Sequence, residues 1–222
     1  MITEIVNFQS GKLYTPTAPT YKCSIFSGHT NNIDIKDLTD LILVKEKEIT
    51  SLDLPEDMIS HGYTGLGPKA LTSRFKAFNV LMWDHPEIVN LHREIRFFYD
   101  LSCEHFGIDK KESVFVQCWA NVLRKGEKMN IHRHSADTDD SFLSGHFTVK
   151  CKDTQTVYHN PYSDVLYNPE YYYFINQPGR INIFNSHIYH YTTEHKDNSE
   201  RITIAFDLFY REPPTQGKII QL

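Results

Sequence analysis

Residues 113–123, Ser113-Val-Phe-Val-Gln-Cys-Trp-Ala-Asn-Val-Leu123, are apolar on both alternating faces and rich in β-branched and aromatic types. That is the composition of a strand buried from two sides. Outward from it, further strands are expected at 129–134, 142–151, 155–160, 180–184, 188–193 and 201–210. Turn signals at Lys125-Gly126, Asn160-Pro161, Asn168-Pro169 and Pro178-Gly179 separate them. About seven strands at this spacing predict a sandwich or barrel. Upstream the period changes. Ile35, Leu38, Leu41 and Ile42 predict a helix over 34–47. Asp84-His85-Pro86-Glu87 opens a second, with Asp84 as cap, and its stripe of Ile88, Leu91, Ile95, Phe98 and Leu101 ends at Gly107. Residues 1–32 read as irregular, turn-rich chain and 61–69 as loop. The expected organisation is a single domain over 1–222, with an irregular and helical elaboration over 1–110 and a β core over 111–211.

Composition narrows the function. Among 222 residues, 28 acidic against 23 basic side chains give a net charge of −5, which disfavours a nucleic-acid partner. A hydrophobic share of 40% and an aromatic share of 13% suffice for a sizeable core. No apolar run approaches the ~18 residues of a membrane span, and the opening MITEIVNFQS lacks the pattern of a signal peptide. Cys23, Cys103, Cys118 and Cys151 lie far apart with no CxxC pair, so a cytoplasmic location without a disulfide framework is expected. Histidine stands out: seven of the 12 fall between His132 and His195.

His132 and His134 alternate on an expected strand, so both rings leave one face and can share a cation at roughly 2 Å each. An H-x-H pair alone is more often a solvated face; a third ligand changes the odds. His190 is the natural candidate, with His187 and His195 competing. On the last strand Ile202, Ile204, Phe206 and Leu208 share one face, and Arg201, Thr203 and Ala205 the other. A buried arginine needs an anion. Its planar fork fits a carboxylate with the Thr203 hydroxyl beside it; an ion pair with Glu200, Asp207 or Glu194 is the plainer alternative. Asn121, on the face of Gln117 and Trp119, needs a partner too, either a bound acid or a neighbouring backbone group.

Taken in order, Trp119-Ala-Asn121, Lys125-Gly126, His132-Arg-His134, Ser144-Gly145, Phe184-Asn-Ser186, His190 and Arg201-Ile-Thr203 resemble the iron(II)- and 2-oxoglutarate-dependent oxygenases. The likeness runs over residues 113–210 and is strongest to a bacterial and phage branch. The Asn-to-Gly and Gly-to-His intervals also look like those of the AlkB-type demethylases. The resemblance implies a mainly β fold with flanking helices, a double-stranded β-helix or cupin-like jelly roll, with Fe(II), 2-oxoglutarate and O2 at its mouth. It implies His132 and His190 as first and last iron ligands, Arg201 with Thr203 on the distal carboxylate of 2-oxoglutarate, and Asn121 on the same molecule. One departure matters: the usual middle ligand is the carboxylate of H-x-D or H-x-E, and here His134 stands in its place. Three neutral imidazoles bind iron(II) with one fewer negative charge; Asp137, or Asp139 or Asp140, is the fallback carboxylate.

The implied activity is a dioxygenase that releases succinate and CO2 while hydroxylating a peptide or protein side chain or a small molecule. The aromatic run at 167–174 is a candidate lid, and the acidic residues at 137–140 would favour a basic substrate. Two rivals remain open, a cupin-like three-histidine metalloenzyme with Arg201 on a substrate carboxylate, and a non-catalytic module holding structural zinc. A homodimer is admitted as an assembly.

Overall fold

The computed structural model describes residues 4–9, 15–17, 20–60, 64–134, 141–162, 170–212 and 218–222. The chain begins with β1 (Glu4–Gln9) and β2 (Lys22–His29), followed by α1 (Ile35–Thr50). A 3-10 turn at Leu71–Ala77 and α2 (Pro86–Phe106) complete the first half. The second half is β3 (Phe115–Leu123), β4 (Ser141–Lys150), β5 (Gln155–His159), β6 (Tyr171–Ile175), β7 (Arg180–Asn185), β8 (His190–Thr192), β9 (Arg201–Phe209) and β10 (Ile220–Gln221). They form a seven-stranded sheet ordered β1-β2-β7-β4-β9-β3-β10 and a three-stranded sheet ordered β6-β5-β8. This is the expected jelly roll: two antiparallel sheets facing one another, with helices outside the larger.

Alternation builds both layers at once. Val116, Cys118, Ala120 and Val122 of β3 and Ile202, Ile204, Phe206 and Leu208 of β9 turn toward α1 and α2, where they join Leu38, Ile42, Leu91, Ile95 and Phe98 in the main core. The opposite faces of these strands turn inward between the sheets. There a smaller cluster of Ile25, Tyr158, Phe174, Phe184 and Ile188 packs beside the site, with Phe184 in its wall.

Residues 1–32 are not irregular throughout. β2 lies inside the larger sheet between β1 and β7, and its strand signal was obscured by Ser24, Ser27 and Gly28. The glycine is required there: a Cβ would stand 2.2 Å from the Phe98 ring of α2, so its absence lets the helix pack directly on the strand. α2 is capped by His85, whose Nδ1 accepts from the Glu87 N–H, rather than by the expected Asp84. Gly107 ends the helix in the left-handed conformation with φ 68°. Part of the expected lid, 171–174, is instead in β6, an edge strand paired with β5; 167–169 lie outside the described residues. The expected strand 129–134 reduces to a bridge between His132 and His190, because its bonds to β8 and the chain before it are irregular: Thr192 N–H to Met129 O, a reciprocal His132–His190 pair, and His134 N–H to Ser186 O. No described helix is long and apolar enough to cross a membrane.

Candidate active site

Between the sheets lies a cavity of about 680 Å³, walled by β3, β4, β5, β8 and β9, and from the first half by residues that include Ser73, Phe75 and Lys76. The first half therefore does more than elaborate: it closes one side of the pocket, and no motif within it pointed to that role.

His132, His134 and His190 come together here, one ring nitrogen of each lying within 4.8 Å of the others. The bridge to β8 sets this up, since His132 and His190 exchange both backbone hydrogen bonds at 2.9 Å, while His134 is anchored to Ser186 O at 3.1 Å. Each ring's other nitrogen is spoken for. His132 Nδ1 lies 2.7 Å from Asn130 O, His134 Nδ1 2.7 Å from Asp207 Oδ1, and His190 Nδ1 3.1 Å from Ile188 O. Carbonyls and carboxylates only accept, so each Nδ1 must carry the proton and each Nε2 presents a lone pair. Three lone pairs converging in one cavity is the donor set a divalent metal takes. Burial, then the neighbouring His134, holds His132 down at about 4. Burial and the two neighbouring rings hold His190 well below the ordinary imidazole value. Both rings are therefore neutral, the form that binds a metal.

The rival histidines are elsewhere. His187 is exposed, and His195 is fully buried with Nδ1 2.9 Å from Asp153 and Nε2 2.5 Å from Ser199 O, a structural pair of contacts. Asp137, Asp139 and Asp140 lie outside the described residues.

Arg201 lines the same cavity and is 2% exposed. Its Nε donates to Thr154 Oγ1 at 2.8 Å and its Nη1 to Thr203 Oγ1 at 3.5 Å, and among the described residues it has no carboxylate. The expected alternatives are occupied or distant: Glu200 pairs with Lys150, Asp207 contacts His134, and Glu194 is exposed. Burial pulls the guanidinium below its ordinary value. Asn121 Nδ2 reaches Thr203 Oγ1 at 3.4 Å, while its Oδ1 is buried and unpartnered. Thr203, Asn121 and Arg201 therefore form one polar wall, an unpaired cation flanked by orientable dipoles, and that wall suits a carboxylate.

Sequence reasoning missed His146. It lines the cavity from β4, and burial, then Arg201, hold it at about 3. Asn182 Nδ2 donates to Tyr158 Oη at 3.2 Å, and Tyr158 Oη lies 2.7 Å from His146 Nε2. Tyr158 can donate its phenol hydrogen to Nε2, which places the ring hydrogen on Nδ1, a buried atom with no partner among the described residues. Its register in a strand with Ser144 and Thr148 was the available signal. Asp207 was read only as a partner for Arg201; its bond to His134 crosses 73 residues.

Residues 117–207 match the model of a family described as "Putative 2OG-Fe(II) oxygenase". The segment holds the three histidines, Asn121, Arg201, Thr203 and Asp207. Among solved structures, AviO1 from Streptomyces viridochromogenes is similar at TM-score 0.58 and 12% identity, over 86% of this chain and 92% of that one. A prolyl hydroxylase from Trichoplax adhaerens, solved with a hypoxia inducible factor peptide fragment, gives 0.52 and 12%, over 82% and 83%. SnoN, a non-heme α-ketoglutarate-dependent epimerase from nogalamycin biosynthesis, gives 0.52 and 8%, over 83% and 78%. Identities this low establish the shared fold. No curated protein sequence matches. That match spans residues 117–207, less than half of the chain.

Proposed function

We propose that this protein is an iron(II)- and 2-oxoglutarate-dependent dioxygenase that hydroxylates a peptide side chain or a small molecule. The observation that carries the reading is the pairing, in one cavity, of three converging Nε2 lone pairs with a buried guanidinium that has no carboxylate partner among the described residues. His132, His134 and His190 hold the iron, which supplies oxidation of the co-substrate to succinate and CO2 coupled to attack on a substrate C–H bond. Arg201 takes the distal carboxylate of 2-oxoglutarate, Thr203 and Asn121 orient it, and His146 donates its Nδ1–H to the same molecule as a neutral group. The β sandwich keeps these donors out of water, where each interaction is stronger. The cavity volume is of the size that holds a small ligand with room for part of a second. Substrate would enter past Phe75, Lys76 and Trp119 at the wall supplied by both halves of the chain, which act as a single catalytic unit.

Anaerobic addition of iron(II) and 2-oxoglutarate tests the reading. A weak visible charge-transfer band is expected from wild type and is lost in Arg201→Ala. No band at saturating ligand sinks it. Once a substrate turns over, oxygen-18 from O2 in the product distinguishes hydroxylation from an epimerase outcome of the kind the SnoN fold supports.

A further inference from the structure

This inference rests on the metal reading above and concerns the position where the chain departs from H-x-D. We propose that Asp207 is a positioning residue of the metal centre: from behind His134 it supplies the negative charge that a middle-ligand carboxylate would supply directly. Among the described residues, two of the three rings are backed by neutral backbone carbonyls and only His134 by a carboxylate. Asp207 is not itself among the converging ligand atoms. It stands one imidazole further out, with side chains 6% and 12% exposed for His134 and Asp207.

The carboxylate is also held in place. Ser144 Oγ donates to the same Oδ1 at 2.6 Å and lies 2.8 Å from Ser186 Oγ. Ser186 O in turn receives the His134 N–H. Ring and backbone of His134 are thus fixed through one closed circuit running Asp207, Ser144, Ser186 and His134. A carboxylate accepting Nδ1–H fixes the tautomer and makes Nε2 a stronger donor, an effect worth ~10–100-fold in metal affinity. Charge follows the same logic: three neutral imidazoles leave iron(II) at its full charge, and Asp207 returns one negative charge to its surroundings across a single ring. Histidine at the middle position and aspartate on β9 are therefore two halves of one device.

Cobalt(II), an air-stable and coloured probe, tests this in the metal-free full-length protein by titrating its visible d–d bands. Wild type, Asp207→Asn, His134→Asp and the double variant H134D/D207N are compared, with thermal unfolding of each metal-free protein alongside. D207N is expected to bind cobalt ~10–100-fold more weakly with shifted bands. H134D sets two carboxylates against each other and should bind less well than wild type. Adding D207N to H134D should recover affinity, because the charge is then supplied directly. A D207N that binds like wild type, or a D207N loss of the same size in both backgrounds, overturns the proposal; so does a D207N that only lowers the unfolding temperature. If D207N does not fold, Ser144→Ala decides: it keeps the charge but releases the carboxylate, so a loss of a few-fold supports the proposal and an unchanged affinity overturns it. A wild type that binds no cobalt and no iron(II) overturns the metal reading, and this inference with it.

Discussion

The two faces of β9 do opposite work. Ile202, Ile204, Phe206 and Leu208 pack against the helices, while Arg201, Thr203 and Asp207 face the cavity from the same nine-residue strand. Every residue of the strand is buried, so exposure does not separate the faces; chemistry does. On the helix side each side chain is satisfied by its neighbours. On the cavity side, among the described residues, Arg201 is left without a carboxylate, and on the adjoining strands Asn121 Oδ1 and His146 Nδ1 have no partner. One face stores stability and the other forgoes some of it to be ready for ligands.

Four changes should break or sharpen that contrast. Phe206→Ala, on the helix side, is expected to cost ~3–5 kcal/mol and lower the melting temperature by roughly 10 °C in calorimetry. Its cobalt affinity should stay within a few-fold of wild type; a large loss would mean the faces are not independent. Arg201→Met, on the cavity side, should weaken 2-oxoglutarate binding by ~2–5 kcal/mol in titration calorimetry. Without ligand it should melt higher than wild type, because a buried cation without a counter-charge is removed; a lower melting temperature contradicts the contrast.

His146→Gln probes pH. The His146 ring is held at about 3, below its ordinary ~6.5, so the unfolded chain binds more protons than the folded one between those values. Its stabilising contribution is complete above pH ~6.5 and is lost as pH falls toward 3, by about 2 kcal/mol at pH 5. The variant should show a correspondingly flatter denaturation midpoint between pH 7 and 5, and an unchanged slope would rule out a neutral buried ring. Smallest is Thr203→Val, which removes one hydroxyl beside Arg201. It should weaken 2-oxoglutarate a few-fold, ~0.5–1.5 kcal/mol, with little change in melting temperature.

Much of this was legible before the structure. The seven expected strands of the second half correspond to five full strands, the shortened β8 and the His132–His190 bridge, because alternation and turn chemistry are local signals. The assignment of Arg201 and Thr203 to one face followed from the two-residue period alone. β2 was missed because a strand with Gly28 under a phenylalanine ring reads as weak until the helix above it is known. The cap of α2 lies one residue later than expected because His85, an uncommon cap, accepts the Glu87 N–H through its ring.

What the sequence determined by itself was which residues share a face: His132 near His134, and Arg201 with Thr203 and Ala205, since strand geometry fixes orientation over a few residues. Which distant groups meet was decided by tertiary structure alone. The meeting of His190 with His132 and His134, the placement of His146 beside Tyr158, and the bond from Asp207 to His134 all join segments far apart in the chain. Such contacts depend on sheet order and register, which are set by how the whole core packs rather than by any local pattern.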